Sequence, residues 1–206
     1  TKFTGTSTIG NATADVDYLQ QDMSMIAYQA LGSSVKGYSV NVPNFSTITV
    51  TVSAVQSQLN LMAVYIPKAV TLTGVLYLHN GNATGGSSGY NGIGLYSYSG
   101  GTLTLVAQTA NALTTWQGTG GWRTAAFTPG TYSASAGMYY IGTLTNTTST
   151  ANTIGAAATA FANTRTLDFT NSAKIAGFVA AQTSLPSSVN MTAVSQNTLN
   201  IAVYVY

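Results

Sequence analysis

From Gly37 onward the chain alternates apolar and polar residues with a period of two. In the stretch 46–53, Ile48, Val50 and Val52 alternate with Thr47, Thr49 and Thr51. Successive strand side chains point to opposite faces, so this spacing predicts a half-buried strand of β-branched residues. Further strands are predicted at 59–66, 70–78, 92–98, 102–107, 122–127, 138–144, 175–181 and 199–206. Pro67-Lys68, the Gly-rich loop 81–92, Ser99-Gly100-Gly101 and Pro129-Gly130 supply the fixed or positive φ that chain reversal needs. The clearest hairpin is Leu95-Tyr-Ser-Tyr-Ser-Gly-Gly-Thr-Leu-Thr-Leu. Segments 59–66 and 199–205 resemble each other, and both are expected to be apolar strands, neighbours in one buried sheet.

The rest of the chain breaks that period. Residues 1–11 form a polar, Gly/Thr-rich arm. In 15–32, Leu19, Met23, Ile26 and Ala30 recur at helical spacing, with Asp15 or Asp17 as the cap and Gly32 as the stop. Residues 145–174 are rich in Asn, Thr and Ala, punctuated by Ile154, Phe161, Leu167 and Phe169, and are expected to be a long connection with room for one short helix. Many short strands without helical crossovers predict an all-β fold, an antiparallel jelly-roll-like β-sandwich with a short N-terminal helix or arm. The expected division is residues 1–36 as arm or helix and 37–206 as the sandwich domain.

Composition restricts what such a domain can do. The chain carries six Lys plus Arg and four Asp, and its charged fraction is 5%, where an ordinary soluble domain has about 25%. Its surface must be dressed in Thr, Ser, Asn, Gly and Tyr, which respond little to pH or salt. A net charge of only +2 favours association over a free monomer. The cations Lys2, Lys36, Lys68, Arg123, Arg165 and Lys174 form no run, which argues against nucleic acid, because neutralising phosphates needs clustered positive charge. Cysteine is absent, so neither disulfides nor thiolate chemistry enter. No apolar run approaches the roughly 18 residues of a spanning helix, and no membrane insertion is expected. Thr1 at the start is compatible with a processed product, an excised piece or an incomplete N-terminus.

An enzyme would need an acid–base pair, an activated nucleophile or a metal cage. Asp15, Asp17, Asp22 and Asp168 are the only acids, and three of them fall in the helical stretch, where capping accounts for them. Asp15-Val-Asp17 lacks the further oxygen ligands of a calcium loop. His79, the only histidine, ends a strand beside Asn80-Gly81, a place for a hydrogen-bonded turn residue. A triad of His79 with Asp168 has no Gly-x-Ser-x-Gly elbow beside it, and zinc would need at least three good ligands. The Gly-rich segment 81–94 lacks the Gly-Lys-Ser/Thr ending of a phosphate loop. No catalytic residue, metal or cofactor is expected, and the chain reads as a non-enzyme.

Aromatic residues supply the remaining signal. Tyr90, Tyr96, Tyr98, Trp116 and Trp122 surround two loops, 81–92 and 111–121, and Arg123 follows. Rings stacked on sugar faces, among Asn and Thr groups, let an uncharged protein hold a glycan. Tyr90, Tyr98, Trp116, Trp122 and Arg123 are therefore the candidate receptor or glycan contacts. The competing reading puts Trp122 and Phe127 in the core and Trp116 in a subunit interface. Five Asn-x-Ser/Thr sequons, at Asn11, Asn44, Asn82, Asn146 and Asn190, are expected by chance in a chain of this composition.

Several runs carry a family resemblance. They are Met62-Ala-Val-Tyr-Ile-Pro-Lys-Ala-Val-Thr-Leu-Thr-Gly-Val, Ile93-Gly-Leu-Tyr-Ser-Tyr-Ser-Gly-Gly-Thr-Leu-Thr-Leu-Val-Ala and Met138-Tyr-Tyr-Ile-Gly-Thr-Leu. Ala176-Gly-Phe-Val-Ala-Ala-Gln-Thr-Ser-Leu-Pro-Ser-Ser-Val and Ile201-Ala-Val-Tyr follow in order. Over 59–206 the chain resembles a family of phage virion proteins. The resemblance implies a jelly-roll or sandwich domain on a tail fibre, tail tip, baseplate or capsid surface, frequently a trimer and often without assigned activity. On that basis the expected protein is a bacteriophage structural protein, located in the virion and extracellular. It is expected to form a homotrimer, to anchor to other virion proteins through its N-terminal segment, and to touch a host surface glycan through multivalent weak contacts. A purely architectural capsid decoration and a bacterial carbohydrate-binding module are the alternatives.

Overall fold

The computed structural model describes residues 35–39, 50–79, 81, 83–149, 153–158, 166–168, 173–196, 199–201 and 203–206. The expected N-terminal arm and helix, and the start of the 46–53 strand, lie outside these residues. The described strands begin with β1 (Gly37–Ser39), β2 (Val50–Ser53), β3 (Leu59–Ile66), β4 (Val70–Leu72), β5 (Gly74–His79) and β6 (Gly92–Ser99). Next come β7 (Thr102–Gln108), β8 (Gly121–Ala126), β9 (Tyr132–Ala134), β10 (Gly137–Leu144), β11 (Thr153–Ala158) and β12 (Thr166–Asp168). The series closes with β13 (Ala173–Lys174), β14 (Ala176–Val179), β15 (Ser188–Asn190), β16 (Ser195–Gln196), β17 (Leu199–Ile201) and β18 (Val203–Val205).

Strand β3 organises the fold. One edge pairs with β10 from Asn60↔Thr143 to Ile66↔Gly137. The other edge is shared, residues 59–62 pairing with β14 and residues 64–65 with β1. The sheet therefore forks at this edge. One arm runs β15-β7-β6-β10-β3 and continues into β14 and β16. The other runs β1-β18-β5; β8 covers the far edge of β5, and β11 meets β5 at Ile154↔His79 and itself lies between β2 and β17. All these pairings are antiparallel, and the curled sheets form the sandwich-like, all-β arrangement that the period of two predicts.

Register and alternation assign the faces. Val64 and Ile66 of β3, Val203 and Val205 of β18, and Val75, Tyr77 and His79 of β5 share one face, and all are buried. Opposite them on the β18-β5-β8 side, Leu76, Leu78 and Trp122 are half-buried around buried Tyr204. Strands β3 and β10 are buried at nearly every position, hence on both faces. On the Tyr140 side, Tyr140 Oη donates to the Lys174 carbonyl at 2.6 Å, and Lys174 Nζ donates to the Val194 carbonyl at 2.7 Å. The predicted hairpin is β6-β7, turned by Gly100 and Gly101 at φ +53° and +80°, the doubly left-handed backbone that glycine permits.

Two expectations are corrected. The stretch 145–174 is not only a connection: it contains β11, whose Thr-Ile-Gly-Ala-Ala-Ala offers one large apolar side chain and hence no readable period. Segments 59–66 and 199–205 are not direct neighbours, because β1 pairs with both β3 and β18 and separates them.

Candidate functional site

The connection between β7 and β8 folds inward. Its 3-10 turn Leu113–Trp116 delivers Trp116 to the interior at 0% exposure. A buried indole N–H needs an acceptor, and Trp116 Nε1 donates to the Leu144 carbonyl of β10 at 3.1 Å. The ring meets Tyr77 of β5 edge-on, centroids 5.5 Å apart. Trp116 thus ties the two arms of the sheet together. Its own carbonyl accepts from Ala83 N at 2.8 Å and lies 2.9 Å from His79 Nε2. Tyr77 Oη donates to the Thr115 carbonyl at 2.7 Å.

Register places Arg123 of β8 opposite Tyr77. The guanidinium donates to the carbonyls of Gln117 and, at 2.6 Å, Thr119. Gly118 sits between these acceptors at φ +97°, a backbone that favours glycine, and a Cβ there would push on the Arg123 guanidinium 2.5 Å away. Beside this clamp lies an open hollow of about 490 Å³ lined by Tyr77, Thr114, Thr115, Trp122, Arg123, Thr124 and Ala125. Thr114 and Thr124 are exposed; Trp122 is half-buried, its ring 5.6 Å from that of Tyr204.

Electrostatics follow burial. Burial raises the Tyr77 phenol above its ordinary range, partly offset by the Arg123 charge and hydrogen bond. Burial lowers His79, opposed by the Trp116 carbonyl and reinforced by the charge of Arg123. The hollow is bordered by three threonines and one tethered cation, a surface able to hold a polyhydroxylated ligand.

The five candidate contacts do not form one patch. Trp116 is core, not a receptor contact or a subunit interface. Tyr90 is 9% exposed and donates Oη to the Thr109 carbonyl at 2.6 Å, so it too belongs to the interior. Tyr98 lies on β6, packed against Tyr140 at 6.0 Å between centroids. Only Trp122 and Arg123 meet in the hollow. Of its other lining groups, Thr124 follows Arg123 on β8, whereas Tyr77 arrives by cross-strand register and Thr114 and Thr115 by the inward 3-10 turn, which no local pattern reveals. His79 ends its strand as expected but is 0% exposed.

No protein-family model matches the chain, and no curated protein sequence matches it. Among the described residues, no group of three His, Cys, Asp or Glu side chains is placed to hold a metal ion. No helix among them is long and apolar enough to cross a membrane.

Proposed function

We propose that this chain is a structural protein of a bacteriophage tail, fibre or capsid surface, assembling as a homotrimer and touching a host surface glycan through the hollow beside Trp122. The lining of that hollow carries the glycan part of the reading. Thr114, Thr115 and Thr124 border it together with Trp122 and the tethered Arg123, residue types suited to holding a sugar rather than cleaving it. A near-uncharged surface supports association, and several copies would multiply a weak contact. The test is host adsorption by particles carrying Trp122→Ala with Thr124→Ala. Particles should form normally while adsorption falls at least about tenfold, the factor for about 1.4 kcal/mol of lost contact. Unchanged adsorption overturns the receptor role of this hollow, and a monomer by sedimentation overturns the assembly.

A specific observation favours a second reading, a purely architectural decoration protein. Tyr90 and Trp116, two of the rings nearest the displayed loops, are interior. Under this reading the double variant adsorbs normally, and the purified protein binds nothing on a glycan array.

A further inference from the structure

We propose that His79 is an acid-sensitive latch whose protonation releases the Leu113–Trp116 turn and reshapes the hollow beside Trp122. The consequence for binding rests on the hollow being a contact surface; the latch itself does not.

The latch is visible in the geometry. The His79 ring has no solvent exposure, and it sits at the end of β5 against the Leu113–Trp116 turn. Nε2 faces the Trp116 carbonyl at 2.9 Å, which suits a neutral ring with its proton on Nε2. Among the described residues, the buried Nδ1 has no hydrogen-bond partner. A second proton would have to sit on that nitrogen, where no acceptor is aligned to receive it.

The neighbours make the second proton costlier. Strand β5 contributes Tyr77, already donating to Thr115, and β8 contributes the Arg123 cation. The turn Leu113–Trp116 contributes no ionisable side chain, and β11 faces His79 with Ile154. The backbone of Gly81 and Thr119 lies near enough to favour the charged ring, but its effect is smaller than that of burial. A charged ring at 0% exposure regains solvation by moving toward water, and the Leu113–Trp116 turn is a segment that His79 holds. The Trp116 carbonyl is the shared acceptor of Ala83 N and His79, so losing the ring removes one of the turn's two hydrogen-bonded ties to β5 and leaves Tyr77 Oη on the Thr115 carbonyl as the other.

Composition makes the device unusually isolated. His79 is the only histidine, the acids are four Asp, and Glu and Cys are absent. Between about pH 5 and 7.5 no other side-chain type in this chain has its ordinary titration range. The opened segment takes up its proton near the ordinary histidine value of about 6.5, and the closed one only at lower pH. The closed form is therefore full above that value and is lost as pH falls below it, the open-to-closed ratio rising by up to about tenfold per pH unit.

A single histidine gives one set of ring signals, so NMR on ring-labelled protein reads the latch directly. Expected are a neutral ring protonated on Nε2 at pH 7.5 and a midpoint below about 6.5. With 5-fluorotryptophan, the Trp116 resonance should move toward a solvent-exposed shift over the same pH interval. His79→Gln keeps an N–H for the Trp116 carbonyl and should abolish the Trp116 change between pH 5 and 7. A midpoint at or above 6.5, a Trp116 signal indifferent to pH, or the same acid response in His79→Gln overturns the latch. Should His79→Gln fail to fold, the wild-type ring titration and Trp116 signal decide alone. A glycan array at pH 7.5 separates the two readings, since silence there with a normal His79 titration sinks only the role of the hollow.

Discussion

Asn91 and Asn146 grip each other across the base of the Gly-rich loop. Asn91 Oδ1 accepts from Asn146 N at 2.8 Å, and Asn91 Nδ2 donates to the Asn146 carbonyl at 3.2 Å. The network spreads outward: Asn146 Nδ2 donates to the Tyr90 carbonyl at 2.9 Å, Ser57 Oγ donates to Asn146 Oδ1 at 2.8 Å, and Asn91 N donates to Asn111 Oδ1 at 2.8 Å. Both asparagines are shut off from water, at 0% and 1% exposure. A buried amide is costly alone, but a satisfied network rigidifies what it joins.

Asn91→Ala strips this network and leaves the Asn146 N–H bare. Since a bared buried donor costs about 1–3 kcal/mol and further bonds go with it, a loss of about 2–4 kcal/mol is expected in denaturant unfolding. A loss below about 0.5 kcal/mol would mean that water replaces the side chain at no cost.

Gly142 pairs with Gly94 across β10 and β6, and the Tyr96 ring lies over both. A Cβ on Gly142 would come within 2.8 Å of Leu59 Cδ1 and 2.9 Å of Tyr96 Cε2. Gly142→Ala should destabilise by about 1–3 kcal/mol through overpacking. Combining it with Tyr96→Leu should cost less than the sum of the two single changes, because the clashing ring is gone. Strict additivity in a double-mutant cycle would refute the contact.

The two tryptophans should separate cleanly. Trp116→Ala empties a fully buried site and should cost about 3–5 kcal/mol. Trp122→Ala removes a half-buried ring and its contact with Tyr204, for about 0.5–1.5 kcal/mol plus some lost burial. Thermal melts of the two variants check the order, and a larger loss at Trp122 would reverse the assignment of core and surface.

Alkaline pH should expose the buried phenols. Burial raises the pKa of Tyr96 and Tyr204 far above the ordinary range, and those of Tyr77 and Tyr90 as well. The unfolded chain releases these protons near pH 10 while the folded chain keeps them. Stability is therefore intact below about pH 10 and falls as pH rises past it. Ultraviolet titration of folded protein should show these four rings ionising only on unfolding; smooth titration of every tyrosine near pH 10 would contradict their burial.

Sequence reveals the strands whose own residues make the pattern. Leu59–Ile66 and Gly137–Leu144 are long and apolar, and Gly100-Gly101 demands a tight reversal, so β3, β10 and the β6-β7 hairpin are legible. Strands defined by their partners are not: Gly37–Ser39 is three residues long yet separates β3 from β18. The same limit governs the site. A tryptophan in a polar loop reads equally as display or anchor, and only the acceptor at Leu144 and the Tyr77 ring decide it for Trp116. Trp122 and Arg123 are adjacent in sequence and visible as a pair, whereas Tyr77 joins them through register alone.

The placement of β18 between β1 and β5 fixes an order of events during synthesis. A nascent chain that has emerged past β5 holds both flanking strands but lacks the one that joins them. Their backbone edges stay open until residues 203–205 leave the ribosome, and open edges invite pairing with other chains. The sheet between β1 and β5 closes only by capture of β18, so growing copies crowded on one message meet each other with that gap still open.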